Sequence, residues 1–157
     1  MTGTIGNTAT LKVIERMTGV NSVEGSVTAG VFEAGQLRLQ NVALELVERA
    51  GTVQYPVVHI YCDKVMNDQR EKFRSFSGRV QMTIELRHSQ DRLEGLQDAL
   101  EVYADAAAQA LNSSRGDWGD GMSYNGAYEM SFGAAKHGGK NFVQVAKVTF
   151  EIQVSRN

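Results

Sequence analysis

Residues 78–112 read GRVQMTIELRHSQDRLEGLQDALEVYADAAAQALN, and the fold turns on how this stretch divides. Its first part, Gly78–His88, alternates. Val80, Met82, Ile84 and Leu86 point one way, and Gln81, Thr83, Glu85 and Arg87 point the other. That pattern predicts a strand with one packed face and one face turned to solvent or a partner. From Asp91 the period changes. Leu93, Leu96, Leu100, Tyr103, Ala107, Ala110 and Leu111 recur at spacings of three and four, the apolar stripe of a helix. Asp91 with Glu94 three residues on resembles a capping box. A helix from there to about Asn112 is roughly 30 Å long at 1.5 Å per residue. Its alanine-rich C-terminal end favours close packing on a sheet.

Working outward, two further strands follow. Tyr128, Met130, Phe132 and Ala134 form one stripe; Phe142, Ala146, Val148, Phe150, Ile152 and Val154 form the next. Lys136-His137-Gly138-Gly139-Lys140 between them reads as a hairpin loop. Upstream, Val53–Cys62 is β-rich. Gln36–Arg49 reads as two strand pieces with a bend at Gln40-Asn41, a helix being the alternative. Thr8–Met17 predicts a short helix with Leu11, Ile14 and Met17 on one face. Residues 18–50 are an arm or an extra β-segment. The order gives a single α+β domain over 1–157, an antiparallel sheet packed against a long α-helix, with a short N-terminal helix.

Composition narrows the function classes. The chain has 157 residues, 42% hydrophobic and 22% charged, which suits a packed core rather than disorder. The formal charge of −2 argues against a general nucleic-acid binder, so any such contact is local. Cys62 is the only cysteine, which excludes an intramolecular disulfide and fits a reducing compartment. Met1–Thr10 has no leader pattern, and no apolar run reaches the ~20 residues of a membrane span.

Motifs of chemistry are sparse. His59, His88 and His137 share no metal-ligand spacing, and nothing resembles HExxH, CxxC, GxGxxG, a Walker loop or GxSxG. No cofactor, metal or catalytic residue is expected. Asn67–Arg79 (NDQREKFRSFSGR) interleaves Arg70, Lys72, Arg74 and Arg79 with Phe73 and Phe76. That combination suits phosphate contacts or a subunit interface, but the favoured reading is an irregular connection whose phenylalanines pack while its charges pair or solvate. Residues 115–129 (RGDWGDGMSYNGAYE) hold the only tryptophan, Trp118, between Asp117 and Asp120. The Arg-Gly-Asp triplet lacks a secreted context, and the aspartates lack the ligand spacing of a calcium loop. A glycine-jointed loop that docks Trp118 on a neighbouring subunit is the favoured reading.

From about Tyr55 to Asn157 the chain resembles the tail-terminator (tail-completion, or neck) proteins of tailed bacteriophages. The segments that carry the resemblance are YPVVHIYC, NDQREKFRSFSGR, VQMTIELRHS, DRLEGLQDALEVYADAAAQAL and FGAAKHGGKNFVQVAKVTFEIQVS. The resemblance implies a non-enzymatic virion protein. It implies a homohexameric ring that caps the tail tube, with the tail tube protein and head-tail connector proteins as partners and no membrane. It also implies host-cytoplasmic assembly and transient contact with DNA in the lumen. Interface candidates are then Trp118, Asp117, Asp120, Arg70, Phe73, Arg74, Phe76 and Arg79. Lys136, His137 and Lys140 are candidates for DNA or partner contacts. The polar strand face Gln81, Thr83, Glu85 and Arg87 would be open to the lumen or a neighbour. The alternatives are another neck or connector protein, a tail-tube subunit, or a small α+β enzyme or ligand-binding domain. In the last case His59, Tyr61, Cys62 and Tyr103 would line a pocket between helix and sheet.

Overall fold

A computed structural model describes residues 3–18, 37–38, 56–138 and 140–157. The architecture is α+β. Helix α1 (Ile5–Thr18) is followed by strands β1 (Leu37–Arg38), β2 (Val57–Met66) and β3 (Phe76–Gln90). Helix α2 (Leu96–Asn112) precedes β4 (Gly116–Gly119), β5 (Met122–Tyr124), β6 (Tyr128–Phe132), β7 (Lys136–Gly138) and β8 (Asn141–Arg156). The expected strand pieces within 39–49 and the arm at 19–36 lie outside the described residues.

β3 and β8 form the centre of the sheet. They pair antiparallel without a register break from Phe76↔Arg156 to Gln90↔Phe142. β2 pairs antiparallel with β3, with a bulge between Cys62 and Lys64. β5, β6 and β7 pair in succession along the other edge of β8. Among the described residues, only β1 runs parallel, to β2. The expected loop Lys136–Lys140 is therefore shorter than its sequence suggests. Lys136, His137 and Gly138 are strand residues opposite Val143, Phe142 and Asn141.

The two described helices pack on one face of the sheet. Val58 and Ile60 of β2, Val80, Met82, Ile84 and Leu86 of β3, and Ala146, Val148 and Ile152 of β8 are all fully buried there. The alternation expected for Val80–Leu86 thus defines the core side. Each of these side chains other than Ala146 contributes about 1.5–3 kcal/mol on burial. Gln144 shares this stripe and is satisfied. Its Nε2 donates to Gly133 O at 2.8 Å and to Gln97 Oε1 at 3.3 Å.

Three local expectations need correction. The second helix is not long. It has 17 residues, starts at Leu96 rather than Asp91, and spans about 25 Å. Gly95 holds φ at 77°, outside the helical region, and no side chain caps the helix. The Gln90 amide instead donates to Arg92 O and Glu94 O, which ties residues 91–94 to the end of β3. Leu93, the first residue of the expected stripe, is 56% exposed. In α1 the buried line is Ala9, Val13 and Met17, with Ile14 packed at its margin and Leu11 facing out. On β3, Thr83, Glu85 and Arg87 are buried rather than open, and only Gln81 is half-exposed.

Candidate interaction surface

Residues 115–129 are not a loose docking loop. β4 and β5 form a hairpin closed by Asp120-Gly121, with φ of 55° and 77°. Asp-Gly favours this tight two-residue turn because both central residues must take positive φ. That dipeptide was the missed signal. Trp118 consequently points inward and is 6% exposed. Its ring lies 5.6 Å from Tyr124, which in turn meets Phe150 at 5.5 Å. Its Nε1 donates to Ser114 O at 2.6 Å, and the Arg16 guanidinium sits 4.0 Å over the ring. Trp118 is therefore packed within its own chain, against Tyr124, Arg16 and the Ser114 carbonyl, where a docking loop would have displayed it to a neighbouring subunit. Burial also pushes the Tyr124 phenol up to about 12.

The two aspartates beside it act within the chain. Asp117 Oδ1 accepts from Gly119 N at 2.9 Å, bracing the turn. Asp120 pairs with Lys12 Nζ at 3.0 Å, and the same ammonium donates to Trp118 O at 2.8 Å. One lysine therefore fastens α1 to the hairpin. The hydrogen bond and charge of Lys12 lower the Asp120 pKa. The pair's contribution is present above the ordinary carboxylate range and is lost as pH falls through the lowered folded value. Asp120→Asn, which tolerates the positive φ, should lower the urea midpoint at pH of about 7. The gap to the parent protein should close towards pH of about 3; an undiminished gap there would contradict the pair.

The basic-aromatic stretch becomes the β2–β3 connection, residues 67–75. It is tied down rather than loose. Asn67 Oδ1 accepts from Gln69 N and Ser77 N, while its Nδ2 donates to Ser75 O. Arg70 N donates to Ser77 O, and Arg70 Nη1 donates to Gln153 Oε1 at 2.6 Å. Ser155 Oγ donates to Glu71 Oε2 at 2.9 Å, and Arg74 Nη1 donates to Asn157 Oδ1 at 2.8 Å. Arg79 bridges Asp68 at 3.2 Å and Glu151 at 2.9 Å; the Glu151 contact is the main reason its pKa rises. Phe76 packs against the core. Phe73 does the opposite. It stands at the tip, 100% exposed, with φ at 65°.

Lys136, His137 and Lys140 are exposed. The His137 ring meets Phe142 edge-on at 5.2 Å. They do not join the arginine cluster. Lys136 lies opposite Val143, whereas Arg70 bonds Gln153, so the two groups are separated by about 30 Å of β8.

The four residues suspected of lining an enzyme pocket are divided by the sheet. Cys62 is on the helix side, with its sulfur 3.3 Å from where a side chain on Gly6 would begin. Burial pushes its thiol pKa up. Tyr103 meets His88 edge-on at 5.4 Å on that side. His59 and Tyr61 occupy the opposite face of β2, both buried. There Glu85 Oε2 accepts from Arg87 Nε at 2.9 Å, and Tyr61 OH donates to Glu85 Oε1 at 3.5 Å. Burial first, then Glu85 and Asp63, raise the Tyr61 phenol pKa.

The same polar face, further towards the 67–75 tip, carries an open depression of about 490 Å³. Lys64 and Met66 of β2, Arg79 of β3, Glu151 of β8, and Tyr128 and Glu129 of β6 are among its lining. Sequence reasoning did not single out Lys64, Met66, Tyr128 or Glu129. They come from strands far apart in the chain, and no local pattern joins them. Among the described residues, no three His, Cys, Asp or Glu side chains are arranged to hold a metal. No helix among them is long and apolar enough to cross a membrane. No protein-family model matches the chain, and no curated protein matches it significantly.

Proposed function

We propose that this chain is a structural assembly protein of a tailed phage, forming a ring that caps the tail tube and joins tail to head through protein surfaces alone. The observation that carries the reading is the β2–β3 tip, where a braced loop holds Phe73 wholly in solvent. A fully exposed phenylalanine at positive φ has no use for the isolated fold. It has an evident use as an anchor that becomes buried on association, where aromatic residues dominate binding energy. Bracing lowers the ordering cost of that association. The element order agrees with the resemblance to tail terminators, and the sheet keeps His59 and Tyr61 apart from Cys62 and Tyr103 instead of gathering them in one pocket.

Light scattering and native mass spectrometry on the purified chain test the proposal. A ring mass, or a concentration-dependent approach to one, is expected; a monomer at every concentration overturns it. Phe73→Asn keeps a residue that tolerates φ near 65° while removing the ring. It should weaken association by about tenfold or more and leave the thermal midpoint of the monomer unchanged.

A further inference from the structure

We infer that the Phe73 tip of one copy seats in the polar-face depression of a second copy, making a head-to-tail contact. This rests on the proposed ring-forming role and names the two surfaces that would meet. Three observations converge on it. The tip is rigidly held yet makes no use of its own aromatic ring, since Phe73 is 100% exposed. Its loop is bonded to the end of β8 through Gln153, Ser155 and Asn157, so the intact loop cannot fold its tip back onto its own sheet. The depression, at about 490 Å³, is of the size that takes a large side chain with its neighbours.

The chemistry of the two surfaces is complementary. Met66 and Ala127 offer a thioether and a methyl group to an incoming phenylalanine. Beside Phe73, Lys72 is exposed and makes no ion pair among the described residues. On the wall of the depression, Glu129 is exposed and likewise makes none. Arg79 and Glu151, by contrast, satisfy each other at 2.9 Å. The unneutralised charges are thus a cation at the tip, an anion at the depression's β6 wall and a second cation, Lys64, in the depression itself. Lys64 stands on the opposite, β2 wall, with β3 and β8 between. This gives the depression a polarity that fixes which way round the tip enters. Because tip and depression are different surfaces, each copy offers one of each. Such contacts propagate and close into a ring when the rotation between copies allows.

The test uses the full chain with Phe73→p-benzoylphenylalanine. Irradiation of the assembled protein should give covalent dimers whose cross-link maps to residues 125–129 or 64–66 of the second copy. Lys72→Glu and Glu129→Lys should each weaken association several-fold, by about three- to fivefold for a rim ion pair. The double variant should recover most of that loss. Rings that form with cross-links only elsewhere, and with no recovery in the double variant, overturn this contact while leaving the ring proposal standing. A chain that is monomeric at every concentration overturns both.

Discussion

Trp118→Ala should lower the free energy of unfolding by about 3–5 kcal/mol, the cost of removing a large aromatic side chain from a packed site. The indole is 6% exposed and is held on three sides: by Tyr124, by the Arg16 guanidinium, and by the carbonyl of Ser114 that accepts its N–H. Truncation leaves a cavity between α1, the β4–β5 hairpin and the end of α2. It also leaves the Ser114 carbonyl without its side-chain donor. The Lys12 bond survives, because it is to the backbone oxygen of residue 118. The loss should therefore be large without detaching α1. Trp118 is the only tryptophan, so the variant must be followed by circular dichroism in urea rather than by fluorescence. A midpoint unchanged, with association impaired, would return Trp118 to the role of an intersubunit anchor.

Gly121→Ala should cost about 3 kcal/mol or more, from two additive sources. The residue sits at φ of 77°, and a methyl group there would lie 2.0 Å from the carbonyl oxygen of Ser155. That oxygen belongs to backbone held in place by its own partner, since Ser155 N donates to Gly121 O at 2.9 Å. Neither side can retreat without breaking the junction of hairpin and β8. Gly95→Ala is the matched control. It has the same φ of 77° with nothing within 4 Å of the added methyl. It should lose only the backbone term, about 1–2 kcal/mol. The difference between the two denaturation midpoints measures the collision. Equal losses would mean that the β8 end yields freely.

The parts of this fold that were legible in the sequence are those written as a period. Val80 to Leu86 and Ala146 to Val154 announce two strands by alternation, and Leu96 to Leu111 announces a helix by its stripe. The helix start was misread because Leu93 falls in phase with the stripe. Phase alone does not reveal that Gly95 breaks the backbone two residues later. The burial of Thr83, Glu85 and Arg87 was hidden for a different reason. Alternation separates two faces but does not say whether the polar one meets water, and Glu85 with Arg87 at i and i+2 can satisfy each other on a covered face. The candidate interaction surface was half visible. The aromatic and basic residues of 67–79 are local and could be gathered by eye. The depression they are proposed to meet is assembled from β2, β3, β6 and β8, and no stretch of sequence contains it.

The position of β8 bears on how such a chain is made. Every long strand pairing in the sheet except β2 with β3 needs β8, from the fifteen-residue β3 on one edge to β5, β6 and β7 on the other. Yet β8 follows all of them in the chain and is the last of these elements to leave the ribosome. Until then β3 has one of its edges unpaired, and the apolar faces of both helices have only part of a sheet to cover. Such non-local pairings make folding slow, and open strand edges invite pairing between nascent chains. A chain of this topology therefore passes through its most aggregation-prone state just before β8 arrives. Ribosome-bound fragments ending before Asn141 should be protease-sensitive, and protection should appear only when the last sixteen-residue strand has emerged.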